Sequence, residues 1–473
     1  MTQHPDADSG ADPTLRPHLT LTHLVMAGVG ATIGSGIFVI TGTAAAQFAG
    51  PAITVSFIIA AVVCLCTALC YGELAGLLPK SGGAYSYALA SSGPTVGWIV
   101  GWCLVLEYLV ACSTVAVGWS SYFTDLMASI GIRIPAHLAD APLSFTPSGE
   151  MLTTGALFNV PAALVVGLVT VLLVLGIKET NRANIAMVVI KVGIILLVVA
   201  CGVFYVQADH LTPYIPENQG SYGEFGWSGV FRGSAVIFYA FIGFDGVSTS
   251  AQESRNPQRD IGLGIVGALA VCTVLYVAMA TVMTGMADYR TLNVANPVTV
   301  ALGGTGGALD WLIPLVNVGV VVGLASAILM GLYGQTRILY VMAQDRMVPP
   351  RFARIHPRFR TPVWGTIIVG AACALAAGLF PIDVLGELVS IGSLLAFAIV
   401  CWSVLVLRRR MPDAHRAFRV PWSPFVPVLG MASSTYLMLS LSGDTWLRLG
   451  IWMAAGMAIY FLDARPRRAR AAA

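Results

Sequence analysis

The chain has 473 residues, of which 57% are hydrophobic and only 10% are charged, and its mean hydropathy is +0.79. Soluble globular domains carry about 25% charged residues, so this composition excludes a protein whose main solvent is water. The formal net charge of +3 is not gathered into a basic stripe, and it gives no indication of nucleic-acid binding.

The N-terminal segment is polar and precedes a glycine-rich apolar run. Residues 1–20 have neither the apolar core nor the cleavage site of a signal peptide, so we expect them to form a cytoplasmic tail. The first apolar run then reads LVMAGVGATIGSGIFVITGT. It contains Gly28, Gly30, Gly34 and Gly36 within nine residues, which is unusual for an ordinary membrane-spanning helix.

These glycines allow three interpretations. A nucleotide-binding fingerprint would require a preceding strand and a βαβ unit, which the sequence does not predict. A GxxxG packing face, from Gly30 to Gly34, is a common structural feature of membrane helices and stays open. The pattern favours a third interpretation, in which the helix is interrupted and its free amide groups face the carboxylate of a ligand.

Apolar runs of the roughly 20 residues needed to cross a bilayer recur along the chain. We count about twelve of them. They begin near Leu21, Ala52, Val96, Phe158, Ala183, Gly229, Gly262, Leu312, Val363, Val384, Phe425 and Leu447. We therefore predict an all-α membrane protein with twelve transmembrane helices. All nine cysteines lie inside apolar runs, so we expect neither disulfides nor a metal site.

Three charged residues stand out inside these runs: Glu107 in the third, Lys191 in the fifth and Asp245 in the sixth. A charge at membrane depth costs at least about 2.5 kcal/mol on insertion scales, so each one requires an explanation. Because burial disfavours a charged lysine, Lys191 is a candidate for proton exchange during transport. A structural ion pair is the alternative, and for Glu107 and Asp245 both interpretations stay open.

The sixth run repeats the glycine theme, since FYAFIGFDGVST places Gly243 and Gly246 around Asp245. The first and sixth runs are corresponding members of two five-helix halves. Interrupted helices in matching positions indicate a transporter built from an inverted repeat, with its binding site near the middle of the membrane.

The basic residues fix the expected orientation. Of the 26 lysines and arginines, 21 fall in the two tails and in alternate connecting segments, and the opposite loops contain only Arg133, Arg232, Arg290 and Arg448. The positive-inside rule therefore places both termini on the cytoplasmic side of the inner membrane.

Four separated motifs resemble a known family. They are GVGATIGSGIFVITG, YGELAGLLPKSGGAYSYA, FIGFDGVSTSAQESRNPQRDI and LYGQTRILYVMAQDRMVP, and they cover the first eight runs. They are similar to those of the amino acid-polyamine-organocation superfamily and, within it, of the cationic amino acid transporter family in its shorter bacterial form.

The resemblance implies the LeuT-type fold, a five-plus-five inverted repeat with helices 1 and 6 unwound and two further C-terminal helices. On this chain the first repeat would cover residues 21–206 and the second 229–410. The last two helices would lie within 424–463, followed by a cytoplasmic tail over 464–473.

The resemblance also implies the site residues. The substrate carboxylate would meet the first unwound segment, and the ammonium group would meet carbonyls of the second. These segments match Thr32, Ile33, Gly34, Ser35, Gly36, Tyr239, Ala240, Phe241, Ile242 and Gly243. Lys191 matches a lysine that stands where sodium binds in sodium-coupled relatives, which implies proton coupling. Glu107 and Asp245 match acidic positions that would handle the proton or a cationic side chain.

The implied function is secondary transport of L-amino acids, with protons and the lipid bilayer as the other partners and neither a cofactor nor an enzyme activity. If Leu324 lines the pocket, as the family pattern suggests, its bulk favours small neutral substrates. Transport of arginine, lysine or ornithine, amino acid exchange and, more remotely, a non-transporting sensor stay open, as does an accessory membrane subunit.

Overall fold

The computed structural model describes residues 20–78, 82–145, 151–176, 180–249, 254, 256–359, 361–416 and 418–467. Of the two predicted tails, residue 20 and residues 464–467 are among them, and the rest of each tail lies outside. In the first half of the chain, the α-helices are α1 (Leu21–Thr32), α2 (Thr41–Ala44), α3 (Ile53–Leu77), α4 (Gly83–Ser92), α5 (Pro94–Ser129), α6 (Val160–Leu175), α7 (Thr180–Gly202) and α8 (Gly226–Ile237).

In the second half, the helices are α9 (Gly246–Thr249), α10 (Pro257–Met286), α11 (Pro297–Gly303), α12 (Ile313–Gln344), α13 (Val363–Leu379), α14 (Ile382–Arg410), α15 (Phe425–Leu439) and α16 (Gly443–Ile459). One small hairpin joins α5 to α6. Its strands, β1 (Leu143–Phe145) and β2 (Met151–Thr153), pair antiparallel, with Leu143 opposite Thr153.

Most of the described chain is helical, as predicted, and eight of its helical runs are long and apolar enough to cross a membrane. Four shorter apolar helices, α1, α6, α13 and α15, accompany them. The twelve crossings and the inverted repeat stay predictions.

The helices begin close to the predicted apolar runs. The starts of α13 and α15 coincide with the predicted starts at Val363 and Phe425. The largest difference is at α10, which begins at Pro257 rather than near Gly262. Its first turn, PQRDI, is polar, so hydropathy alone does not reveal it.

Helix α5 occupies a central position, since it packs against α12, α14, α13 and α6. Glycine allows the closest of these approaches. A Cβ atom on Gly331 of α12 would lie only 2.4 Å from Sγ of Cys112 on α5. Such small-residue contacts let membrane helices pack backbone to backbone, and they hold α5 and α12 as the two walls of the site described below.

A buried ion cluster joins one end of α3 to one end of α14. Glu73, which is 1% exposed, accepts hydrogen bonds from Nε and Nη2 of Arg408 at 2.9 and 2.6 Å. Nε of Arg416 lies 3.2 Å from its Oε1, and the amide of Val420 donates to its Oε2 at 2.7 Å. Because the carboxylate has several donors, its burial is compensated, and the loop after α14 is fixed against α3.

Candidate functional site

The chain leaves helical geometry where the first glycine cluster lies. Helix α1 ends at Thr32, and Ile33 is extended, with φ −72° and ψ 101°. Gly34 forms a bend, after which a wider π-helical turn begins at Gly36. Ser35 is already helical, so the interruption occupies Ile33 and Gly34, inside the predicted segment. The first amide groups of the new helix have no acceptor within that helix, and the positive end of its dipole points back into the gap.

A second interruption follows α8. The chain continues from α8 as a 3₁₀-helix over Phe238–Phe241, so three of the residues expected to be unwound are helical. The break lies just after them. Ile242 is extended, Gly243 has a φ of +116°, and helical geometry returns at Gly246. A β-carbon is strained at such a φ, which explains glycine at position 243.

The two interruptions are in direct contact. A Cβ on Gly36 would lie 2.4 Å from Cα of Ala240, and a Cβ on Gly243 would lie 2.6 Å from the carbonyl oxygen of Ala31. The hydroxyl groups of Ser35 and Tyr239 are 2.6 Å apart. Because Gly36 and Gly243 have no side chains to separate the two spans, the backbones of the two spans meet directly.

A residue that the sequence analysis missed joins the same two segments. Tyr276 of α10 is fully buried, and its hydroxyl group faces the carbonyls of Thr32 at 3.1 Å and Ala240 at 2.9 Å. Both carbonyls lie at the broken ends, where intrahelical partners are lost. No sequence signal marks this residue, since an aromatic side chain in an apolar run is ordinary.

A cavity of about 1050 Å³ opens beside the interruptions. Six of the predicted substrate-binding residues line it, namely Thr32, Gly34, Gly36, Tyr239, Ile242 and Gly243. From there the cavity runs along α1 and α12 to one end of the helices, where Thr22 and His23 line it and are exposed. The site is therefore reached from the end at which the N-terminus of α1 lies.

The other predicted residues do not line this cavity. They are Ile33, Ser35, Ala240, Phe241 and Leu324, and all of them are buried. Leu324 does not border the cavity because it lies one turn before Ala327, near Gly118 of α5. Ala327 faces the cavity instead, beside Gly34, and leaves more room than the leucine would. A role of Leu324 in selecting small substrates stays a prediction, and the cavity lining gives it no support.

Lys191 is fully buried, and its ammonium group connects α7 to two other elements. It donates to the carbonyl oxygens of Gly30 and Ile33, the latter at 2.7 Å, and lies 3.4 Å from the hydroxyl of Ser326 on α12. Among the described residues no carboxylate pairs with it. It stabilises the carbonyls that the end of α1 leaves without helical partners, but it does not line the cavity.

Glu107 and Asp245 lie close enough to interact electrostatically, apart from Lys191. Asp245 receives hydrogen bonds from the Gly243 amide at 3.2 Å and from the Tyr108 hydroxyl at 3.3 Å, so it stabilises the second break. Glu107 lines the cavity, and within the described structure neither of its carboxyl oxygens has a hydrogen-bond partner. The nearby Ser393 hydroxyl donates to the Val389 carbonyl instead.

The family model described as "Amino acid permease" matches residues 19–456 of the chain. The chain is 42% identical over 447 residues to the methylthioribose transporter of Bacillus subtilis (strain 168), covering 94% of this chain and 93% of that protein.

Two further relatives show similar coverage of this chain. A branched-chain amino acid permease of the same B. subtilis strain is 40% identical over 460 residues, which cover 97% of this chain and 95% of the permease. The vacuolar cationic amino acid transporter 4 of Arabidopsis thaliana is 36% identical over 399 residues, which cover 84% of this chain and 64% of that transporter.

Proposed function

The chain belongs to the amino acid permease family, and from this premise we propose that it carries L-amino acids across the cytoplasmic membrane by proton-coupled symport. Alternating access would expose the cavity first to one side and then to the other. Its partners are the amino acid, the proton and the lipid bilayer. The observation that carries the proposal is the pair of interrupted helices, which meet at a cavity open at one end.

The proposed architecture has twelve crossings, with both termini in the cytoplasm and two inverted five-helix repeats over residues 21–206 and 229–410. The eight long apolar runs and four shorter apolar helices support it. So does the position of the breaks, because non-helical backbone at membrane depth is tolerated only around a cavity or within protein. With this orientation the cavity faces the cytoplasm.

Backbone groups would recognise the two charged ends of the substrate. Gly34 and Gly36 line the cavity at the start of the new helix, where amide groups and the helix dipole favour a carboxylate. Two carbonyls of the second segment already have donors and are not available to the ammonium group. The Tyr239 carbonyl accepts from the Ile242 amide, and the Ala240 carbonyl accepts from the Tyr276 hydroxyl. Because Phe241 does not line the cavity and Ile242 does, the Ile242 carbonyl is the proposed acceptor.

Lys191 would couple transport to protons. Its ammonium group donates hydrogen bonds to the carbonyls of Gly30 and Ile33. When Lys191 loses its proton, the end of α1 loses one of these donors and the positive charge beside it. The first half-helix is then held less firmly against α7 and α12. Protonation would therefore favour one position of α1 and deprotonation the other, with Glu107 and Asp245 as candidates for exchanging the proton.

The coupling is tested in proteoliposomes with an imposed inward proton gradient. We expect the gradient to accelerate alanine uptake, and Lys191→Met, which keeps the length of the side chain, to remove that acceleration, a change on the order of tenfold. Gly193→Ala serves as a matched control on α7, because a β-carbon there meets nothing within 4 Å. Uptake that depends on sodium, or that retains its proton dependence in the lysine variant, would refute the coupling.

Two observations bear on the substrate. Ala327 gives the cavity room for more than the smallest side chains, which agrees with the branched-chain amino acids in the name of one relative. The unpartnered carboxyl group of Glu107 favours a second candidate, a cationic amino acid, as in the names of the plant relatives. A panel of unlabelled competitors separates the two, and uptake that requires internal substrate would indicate exchange.

A further inference from the structure

Helices α5 and α12 form facing walls of the cavity, and their contacts show which residues lie at the same depth. At a first level, Val115 of α5 and Ala327 of α12 lie 3.8 and 3.7 Å from the position that a Cβ on Gly34 would take. At a second level, one turn further toward the mouth, Cys112 of α5 lies against Gly331 of α12. All five residues line the cavity, so the part of it beside the first interruption has apolar walls over two levels.

The side chain of an amino acid bound at the interruptions would extend toward the second level. On the other side of the first level the space is filled, since Leu324 packs against Gly118 of α5 and both are buried. A rise of 1.5 Å per residue places Cys112 about 4.5 Å from Val115 along α5. That distance is roughly the length of three carbon–carbon bonds, so a side chain as long as that of leucine would end beside Cys112.

Gly331 leaves the room that the Cys112 side chain occupies. Cys112 is 2% exposed, and its thiol is directed at α12, where it donates to the Ile328 carbonyl at 3.9 Å. A β-carbon at position 331 would overlap this sulfur atom, so the thiol would have to turn into the cavity or the two helices would have to separate. The width of the second level therefore depends on both Cys112 and Gly331.

We propose that Cys112 and Gly331 are specificity-determining residues, which set the size of the apolar side chain that the site accepts. The inference rests on the proposed function, and it names the substrate class as neutral amino acids with aliphatic side chains. A side chain that ends at the second level buries its apolar surface against carbon and sulfur atoms. Among the described lining residues only Glu107 carries a carboxyl group, and it lies about 7.5 Å beyond Cys112 along α5.

The ordinary explanation for a glycine opposite a cysteine is helix packing, and the chain contains a matched control for it. A Cβ on Gly430 of α15 would lie 2.8 Å from Sγ of Cys401 on α14, and neither residue lines the cavity. If both contacts serve only packing, Gly331→Ala and Gly430→Ala should reduce the amount of folded protein and leave selectivity unchanged. If the first contact sets the width of the site, only Gly331→Ala should change selectivity.

The test measures how unlabelled valine, leucine and phenylalanine inhibit the uptake of labelled alanine into proteoliposomes. The readout is the inhibition constant of each competitor divided by that of unlabelled alanine. Because it is a ratio, a loss of active protein cancels. In a hydrophobic pocket, space for one methylene group changes selectivity by roughly tenfold or more.

The variants should move this ratio in opposite directions. Cys112→Ala removes the sulfur atom and widens the second level, so the ratios for leucine and phenylalanine should fall about tenfold. Gly331→Ala and Cys112→Val each narrow that level, so the same ratios should rise about tenfold. Gly331→Ala combined with Cys112→Ala should return the leucine ratio to within about twofold of the wild type, because the new β-carbon occupies the space that the sulfur leaves. Gly430→Ala should keep the ratios of the wild type.

Two failures are distinguishable. If the wild type takes up no amino acid, the proposed function is wrong and the inference falls with it. If alanine uptake persists but the ratios stay unchanged in Cys112→Ala and Cys112→Val, or change equally in Gly430→Ala, the pair is a packing contact only and the transport proposal stands. The two Cys112 variants keep Gly331, so they decide the matter even if Gly331→Ala fails to fold.

Discussion

One hydroxyl group lies at the meeting point of both interrupted spans. Tyr276 offers a single proton to the carbonyls of Thr32 and Ala240, while its ring packs against Phe57 and Phe241 at centroid distances of 5.4 and 5.3 Å. Buried carbonyls without a partner are costly, so removing the hydroxyl leaves two broken ends unsatisfied. We interpret Tyr276 as a positioning residue that sets the distance between the two halves of the site.

Tyr276→Phe tests that interpretation, because it retains the ring and removes only the hydroxyl. We expect the KM for amino acids to rise on the order of tenfold, corresponding to about 1.4 kcal/mol, and to rise equally for substrates with different side chains. Tyr71→Phe is the matched control. Tyr71 is also fully buried, and its hydroxyl has no hydrogen-bond partner within the described structure. A KM unchanged in the Tyr276 variant would contradict the positioning role.

Residues that cost free energy at membrane depth could be predicted from the sequence. Gly34, Gly36 and Gly243 weaken helices, and Lys191 is a charge in hydrocarbon, so each stands out from an apolar background. Tyr276 could not be predicted, since its importance depends on which carbonyls its hydroxyl reaches. The lining of this cavity by Ala327 rather than Leu324 could not be predicted either, because spacing along a helix does not reveal which side chain borders a cavity.

At the scale of elements, a second set of contacts lies on the other side of the interruption from the cavity mouth. The Tyr122 hydroxyl of α5 donates to the Phe38 carbonyl at 2.6 Å. The Asn296 side chain, at the start of α11, donates to the Asp125 carboxylate of α5. These contacts join the continuation of the first span, α5 and the loop before α11 at the end that the cavity does not reach. Alternating access would require them to separate when that end opens.

Asn296→Asp should favour opening of this end, since it places a carboxylate opposite the Asp125 carboxylate. Like charges at hydrogen-bond distance repel by about 1–4 kcal/mol, so the open population should rise by tenfold or more. The readout is the rate at which a membrane-impermeant maleimide labels a cysteine introduced by Ile40→Cys, a position that is 1% exposed in this structure.

Asn293→Asp is the control in the same loop, because its partner is the neutral side chain of Gln47. It should not accelerate labelling. Combining Asn296→Asp with Asp125→Asn restores an amide–carboxylate pair and should return the rate to its original value. Equal labelling with and without Asn296→Asp would show that this contact does not hold the end closed.

Helix positions were accessible from the sequence because the bilayer imposes a length and an apolar composition on every crossing. The differences concern ends and local geometry. Polar first turns, as in α10, extend beyond the apolar run, and Phe238–Phe241 is a 3₁₀-helix where an unwound segment was expected. Hydrophobicity does not distinguish a tight helix from an unwound segment.

At the scale of the molecule, the breaks lie in the first and sixth predicted runs, and the relation between two halves stays a prediction. The first interruption lies between α1 and α2, in the first predicted apolar run. The second lies between α8 and α9, in the sixth run, so five runs separate the starts of the two interrupted spans. The resemblance identified the family, and the match over residues 19–456 confirms it. The access of the cavity to one end only could not be predicted, since a sequence alone does not show which of several conformations is populated.

The central claim is that the two interruptions bind the two charged ends of an amino acid. A cryo-electron-microscopy map of the protein with bound amino acid tests it most directly. The account predicts the carboxylate about 3 Å from the amides of Gly34 to Gly36, and the ammonium group at a similar distance from the carbonyl of Ile242. A ligand held elsewhere in the cavity, with neither interruption in contact with it, would contradict the account.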